Sequence, residues 1–366
     1  MLPTRNRRRC LKAALEALGR LPLPPDGGTS GAEVIVVDNA SRAPATAPAI
    51  LPNGLAVRII RRATNEGAAG RNVGARAAAN DWLIMLDDDS WPLDDGHFAV
   101  IADPDPDVAA IGAEILLPGG RHEDGGLPEV IIGCGAAIRR DAFLEVGGYD
   151  TAFGYYAEEY DLCAKLIRAG WRIAHDLRFR VRHEKATAGR DMDRILHHLV
   201  RNNGWVAQRY VPPEEKADRL NEVITRYGRI AIREGAAEGF CRGMADLLTT
   251  LPQQPDRSMS RERFDRFTGL AHVRAVLAEE PLLHGGASVA IVDAGKNAWV
   301  VERVLREFKV SIADCESEAE VLVIGTLSPG PMLDAMDRRC EEHRPVICPW
   351  LPAAMPARSA ACDVSS

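Results

Sequence analysis

The sequence predicts an α/β protein built on a mostly parallel sheet flanked by helices. Three observations predict it. The first elements run helix, strand, strand, helix, strand; two of those strands end in acids, at Asp38 and at Asp87-Asp88-Asp89; and a later stretch from Ser288 begins a second strand–helix alternation. In open α/β sheets ligands bind beyond the carboxyl ends of the strands, so two acid-terminated strands open a candidate site on one side.

Taken in order, Arg7 to Leu18 carries Leu11, Ala14, Leu15 and Leu18 at helical spacing, with Gly19 as its stop. Pro22, Pro24, Pro25, Gly27 and Gly28 make a loop. Glu33 to Val37 is a β-branched strand ending in Asp38-Asn39-Ala40-Ser41, and Ala56 to Ile60 is a second strand. Asn65-Glu66-Gly67-Ala68-Ala69-Gly70-Arg71-Asn72 opens a small-residue helix through Ala79. Its glycines let backbone approach a ligand and Arg71 suits an anion, although turn chemistry alone explains a glycine-rich start equally well. In Asp81-Trp82-Leu83-Ile84-Met85-Leu86-Asp87-Asp88-Asp89-Ser90 an apolar run stops at three carboxylates. Acids held so close repel, and a hard divalent cation relieves that repulsion, which makes Asp87 and Asp89 candidates for a metal–diphosphate site. The plainer reading is a polar strand end with a helix cap at Asp89 or Ser90.

Beyond the acids, Pro104, Pro106, Pro118, Gly119 and Gly120 break the chain around a strand at 109–116. Val130 to Ile138 reads as a buried strand interrupted by Gly133 and Gly135, with Cys134 as a small core residue, before a helix from Asp141 to Val146. Gly154 to Leu166 begins aromatic and turns helical, its acids clustered at the helix start where the dipole favours them. Gly170 ends that helix; Trp171 to His175 reads as an edge strand, and Arg180-Val181-Arg182-His183-Glu184 follows a second short one. From Asp191 to Leu277 the pattern is helical, broken at Pro212-Pro213 and from Pro252 to Ser260; the adjacent His197 and His198 face different sides of their helix and make a poor metal pair. A small βα unit closes the chain: strands at 288–293, 310–313, 320–325 and 345–348, helices at 298–308 and 332–342, half of a Rossmann-like nucleotide-binding fold. Asp293-Ala294-Gly295-Lys296-Asn297 lacks the spacing of a P-loop or dinucleotide fingerprint and is assigned no ligand. The domains are therefore 1–190, 191–284 and 285–352, with a disordered tail over 353–366.

Composition narrows the class. A net charge of -7 over 366 residues argues against a general nucleic-acid binder. No apolar run is long enough to span a bilayer, and Lys12 and Glu16 interrupt what would be a signal-peptide core after Arg5-Asn6-Arg7-Arg8-Arg9. The 8 cysteines stand singly, which favours reduced thiols. The expectation is a cytoplasmic protein, at most peripheral at the inner membrane surface.

The ordered motifs resemble the family 2 glycosyltransferases of the GT-A fold. Pro3-Thr4-Arg5-Asn6-Arg7, Val36-Val37-Asp38-Asn39-Ala40-Ser41, Asn65-Glu66-Gly67 with Arg71-Asn72, and Leu86-Asp87-Asp88-Asp89 carry the resemblance, as do Gly147-Gly148-Tyr149-Asp150 and Glu158-Glu159-Tyr160-Asp161-Leu162. It covers about residues 1–210. The resemblance implies a nucleotide-diphosphate sugar as donor (UDP, GDP or dTDP), a saccharide or lipid-linked acceptor, Mg²⁺ or Mn²⁺ as cofactor, and inverting hexosyl or deoxyhexosyl transfer in polysaccharide or glycoconjugate synthesis. It places Pro3, Thr4, Arg5, Asp38, Asn65, Gly67, Arg71, Asp87, Asp88 and Gly135 at the nucleotide sugar, with Asp38 on the base. It places Asp89, Asp87 and His183 at the metal, and the catalytic base at Glu159. The family more often carries Asp there, so Glu158 and Asp161 stay open as alternatives.

A second departure is that only Met1 and Leu2 precede the Pro-Thr-Arg-Asn motif, where the family has its first strand; the expectation is a sheet lacking most of a central strand, or a start internal to the natural protein. Two further readings follow: a nucleotidyltransferase, although Pro3-Thr4-Arg5-Asn6 has no glycine, or a catalytically impaired scaffold. The last βα unit is expected to serve homo-oligomer assembly or acceptor recognition.

Overall fold

A computed structural model describes residues 1–23, 32–185 and 191–353; the loop from Pro24 to Gly28, the boundary at 190 and the tail beyond 353 lie outside the described residues. The strands are β1 (Leu2–Thr4), β2 (Glu33–Asp38), β3 (Ala56–Arg61), β4 (Trp82–Leu86), β5 (Ser90–Pro92), β6 (Val108–Leu116), β7 (Gly135–Arg139) and β8 (Arg172–His183). Helices α1 (Arg8–Leu18), α2 (Arg71–Ala77), α3 (Gly96–Ala102), α4 (Arg140–Glu145) and α5 (Glu158–Ala169) connect them.

β1 pairs in parallel with β2, Leu2 opposite Val36, and β2 pairs in parallel with β3. Of the central strand expected to be largely missing, three residues form β1. Met1 extends the ladder, its amino group donating to the Ile84 carbonyl at 2.7 Å and its carbonyl accepting from the Leu86 N–H at 3.0 Å. Those two bonds follow the parallel pattern. They join β3-β2-β1 to the second sheet, whose order is β4-β7-β6-β8-β5. The parallel character holds from β3 to β4; β7 and β5 then run antiparallel to their neighbours.

Two further strand readings are corrected. The stretch from Val130 is not strand until Gly135: residues 133–134 form a turn, closed by the Gly135 N–H on the Ile132 carbonyl at 3.1 Å. The two short strands after Gly170 are one twelve-residue strand, β8, and it is not an edge, since it lies between β6 and β5. A register shift between Ala113 and Glu114 absorbs the irregularity at Asp176–Arg178 that reads as a break in sequence.

The helical extension consists of α6 (Met192–Tyr210), α7 (Lys216–Glu234), α8 (Ala237–Thr250), α9 (Arg261–Thr268), α10 (Leu270–Ala278) and α11 (Pro281–His284). In the closing βα unit β9 (Val289–Val292), β10 (Val321–Ile324) and β11 (Val346–Ile347) form a parallel sheet flanked by α12 (Ala298–Glu307) and α13 (Pro329–Arg338). The predicted strand at 310–313 is reduced to one bridge, Val289 with Ile312. This unit docks on the loop after β6: the Asp334 carboxylate meets His122 Nδ1 at 2.6 Å, and the Gly125 N–H donates to Ser328 Oγ at 2.9 Å.

Candidate functional site

β1, β4 and β8 all end at the same edge of the sheet, and a cavity of about 620 Å³ opens there. Pro3, Thr4 and Arg5 leave β1 into its wall, Asp87, Asp88 and Asp89 leave β4, and His183 closes β8. The acids are presented by a tight turn into β5, in which Ser90 Oγ accepts from the Asp87 N–H at 2.9 Å and donates to the Cys134 carbonyl at 2.8 Å.

Each acid of the triplet has a different environment. Asp87 receives Arg71 Nη2 at 2.5 Å; Arg71, only 4% exposed, also donates to the carbonyls of Leu86 and Gly133. Asp88 is buried against Thr4 Oγ1 at 2.7 Å and Arg7 Nη1 at 2.7 Å; burial outweighs those partners and pushes its carboxyl up to about 6. Asp89 also faces burial, but His183 and Arg7 hold it down at about 2. Burial works against the His183 charge too, yet hydrogen bonds to Asp89, Cys134 and Glu123 push the imidazole up to about 12. Glu123 Oε2 lies 2.8 Å from His183 Nδ1, and Lys185 pairs with the other Glu123 oxygen.

The donor set fits a divalent cation. Ligand atoms of Asp87, Cys134 and His183 lie within 4.8 Å of one another, and the buried Asp89 Oδ1 makes no hydrogen bond of good geometry, having only His183 Nε2 at 3.4 Å. Carboxylates with an imidazole suit Mg²⁺ or Mn²⁺. Burial pushes the Cys134 thiol up to about 11, so it offers no thiolate and stays the small core residue expected.

Glu158 and Glu159 open α5 and line the same cavity. The turn before them is strained: Tyr156 and Ala157 take left-handed φ values of 70° and 63°. Asn202, fully buried on α6, holds that turn by donating from Nδ2 to the carbonyls of Phe153, Tyr155 and Tyr156 at 3.0, 2.9 and 2.8 Å. Burial pushes both glutamic acids up, Glu158 the further, with the Glu159 charge adding to the effect. The Gly133 N–H donates to Glu159 Oε1 at 3.2 Å, whereas the buried Glu158 Oε2 has no partner. A hydrogen-bond donor favours the charged form, so of the two Glu159 ionises the more readily and Glu158 holds its proton the more tightly.

Not every candidate reaches this cavity. Pro3, Thr4, Arg5, Arg71, Asp87, Asp88, Asp89, Glu158, Glu159 and His183 line it. Asp161 does not: fully buried, its carboxylate accepts from Arg209 Nη1 at 2.8 Å and Tyr210 OH at 2.6 Å and pairs with Lys165 at 2.9 Å. Asp38 is turned inward as well, accepting from the Ser41 and Ala45 N–H groups and from Arg61 Nη1 at 2.9 Å. Asn65 accepts the Gly67 N–H at 3.2 Å, and Gly67, at φ 60°, packs so closely on the Gly154 carbonyl that a Cβ would overlap it. Gly135 packs against Ile115 and Ala113. These last three shape the walls rather than line them.

Sequence reasoning missed Arg7, Glu123, Lys185, Asn202 and Lys296. Lys296 reaches the cavity from the βα unit, its ammonium donating to Tyr160 OH and standing 4.1 Å from the Tyr160 ring centroid. The absence of a nucleotide-binding spacing around it hid that role; none of the other four carries a local signal.

The chain is similar to several known proteins. Residues 1–113 match the model of glycosyl transferase family 2. An uncharacterized glycosyltransferase of Haemophilus influenzae is 28% identical over 197 residues, covering 46% of this chain and 61% of that protein. A pre-mycofactocin glycosyltransferase of Mycobacterium tuberculosis is 30% identical over 190 residues, covering 44% and 39%. Among solved structures, a mannosyltransferase from Pyrobaculum calidifontis in complex with GDP-Man and Mn²⁺ aligns with a TM-score of 0.44 at 17% identity, over 84% of each chain. TarS 1-349 of S. aureus aligns with a TM-score of 0.48 at 14% identity, over 84% of this chain and 88% of that one. The chain spans less than two thirds of the length of either curated relative, and it is its amino-terminal segment that is similar to glycosyl transferase family 2.

Proposed function

We propose that the chain is a metal-dependent inverting glycosyltransferase that moves a sugar from a nucleotide-diphosphate donor to an acceptor hydroxyl in polysaccharide or glycoconjugate synthesis. The observation that carries the reading is that Asp87, Asp89, His183, Glu158 and Glu159 all line a single cavity. Asp87, Asp89 and His183 would hold Mg²⁺ or Mn²⁺, which neutralises the diphosphate of the donor and so stabilises it as a leaving group. Arg71 keeps Asp87 turned to the cavity, and Arg5, which no carboxylate claims among the described residues, suits a donor phosphate. Glu159 takes the proton of the acceptor hydroxyl as that oxygen attacks the anomeric carbon on the face opposite the leaving group, which inverts the configuration. Glu158, protonated beside it, leaves a single negative charge at the reacting oxygen.

Release of UDP, GDP or dTDP from a panel of nucleotide sugars tests the reading. Release that requires Mn²⁺ or Mg²⁺ and disappears in Asp89→Ala supports it; release of pyrophosphate instead identifies a nucleotidyltransferase and overturns it. No described helix is long and apolar enough to cross a membrane.

A further inference from the structure

The βα unit supplies a cation to a cavity otherwise built by the family 2 segment and its helical extension. Lys296 immediately precedes the N-cap of α12, and its side chain enters beside Tyr160, within electrostatic range of Glu159 and Asp124. An ammonium has three donors. Among the described residues Lys296 donates only to Tyr160 OH and has no carboxylate within 4.0 Å, whereas Arg7, Arg71 and Lys185 in the same cavity are each paired with an acid.

A second observation points the same way. A groove adjoins the cavity where Arg226 and Gly295 succeed Tyr227 and Lys296 as lining residues. It runs along α7 under Arg226, Arg229 and Arg233, with Asp218 and Glu222 also on it. Glu222 is engaged by Arg219 at 2.8 Å and Arg233 by Glu234 at 2.9 Å, while Arg226 and Arg229 pair with no acid among the described residues. Positive side chains thus line the groove beside Lys296.

We propose that this groove and Lys296 form the acceptor subsite, and that the acceptor is a soluble phosphodiester-bearing chain whose phosphates lie along Arg226, Arg229 and Arg233 while Lys296 fixes the phosphate nearest the reacting hydroxyl. The proposal rests on the glycosyltransferase reading for the identity of the acceptor end, but its test does not need turnover. A fluorescein-labelled glycerol phosphate hexamer and a neutral dextran hexamer are titrated against the full chain without donor or metal. The phosphodiester binds, the dextran does not, and Arg226→Glu with Arg229→Glu weakens binding at least tenfold, as does Lys296→Met; Lys296→Arg restores it. The thermal midpoint and circular-dichroism spectrum of the Arg226→Glu/Arg229→Glu protein stay those of the parent, so that lost binding is not lost folding. Equal binding of dextran, or phosphodiester binding indifferent to these substitutions, overturns the subsite. Sedimentation with phosphatidylglycerol vesicles without binding of the hexamer overturns it in favour of a membrane surface. Absence of nucleotide release from the parent overturns the activity alone and leaves the binding result standing.

Discussion

Glu159→Gln and Asp161→Asn, made separately, part the base from the scaffold within one helical turn. Asp161 is fully buried against Arg209, Tyr210 and Lys165, and an amide in its place leaves two cations facing no charge from that side. Breaking a buried pair by removing one partner costs about 3–5 kcal/mol. The lower figure applies, because Arg209 keeps Asp150 at 2.8 Å. At about 2–4 °C per kcal/mol for a unit of some 200 residues, the thermal midpoint falls by about 6–12 °C. Glu159→Gln keeps the shape and still offers an oxygen to the Gly133 N–H, so its midpoint stays within about 2 °C, while turnover drops by about 10²–10⁴, the usual contribution of a general base. Differential scanning fluorimetry and nucleotide release, measured on the same preparations below the lower midpoint, give both numbers. A fully stable, inactive Asp161→Asn beside an active Glu159→Gln would refute the assignment and return the base to Asp161.

Other expectations follow from the same contacts. Chelation by EDTA abolishes nucleotide release and Mn²⁺ restores it; Asp89→Asn raises the Mn²⁺ concentration needed at least tenfold, read by titrating the metal. His122 stands between Glu114 at 3.1 Å and Asp334 at 2.6 Å, and although burial opposes its charge these acids raise it above its ordinary value. The stabilisation is therefore complete below pH about 6.5 and is lost as pH rises through the folded value, so hydrogen exchange at 122–126 and 326–334 accelerates on the alkaline side and loses that dependence in His122→Gln. Gly239→Ala, whose Cβ would overlap the Asp193 carbonyl where α8 meets α6, destabilises the helical extension by more than about 2 kcal/mol in urea unfolding, because backbone rather than a movable side chain must give way.

Where the chain is regular, much of this was legible. The apolar run ending at Asp87 gave β4 and its turn, since a strand's burial pattern and a cluster of acids are both local signals. The helices from Asp191 on were equally visible from their spacing. What failed depended on partners far away in sequence. Leu2 to Thr4 reads as too short for a strand until Met1 is seen bonded to β4. Residues 130–134 read as strand because they are apolar, but Gly133 is bent to present its carbonyl to Arg71 and its N–H to Glu159. Asp161 and Glu159 stand two residues apart, and what tells them apart is chiefly Arg209 and Tyr210, nearly fifty residues on, with Lys165 one turn away adding to them.

That last distinction shows why the helical extension belongs with the chemistry. Asn202 clamps the left-handed turn at Tyr156–Ala157, and about two turns further along α6 Arg209 and Tyr210 grip Asp161, so a single helix holds both ends of the first turn of α5. With its start held by strain and its fourth residue by an ion pair, α5 cannot rotate, and Glu159 is kept against the Gly133 N–H rather than free to swing toward Arg71. A glutamate is one methylene longer than the aspartate more usual at this place. Its added freedom is what this fixing removes, as the role proposed for Glu159 requires.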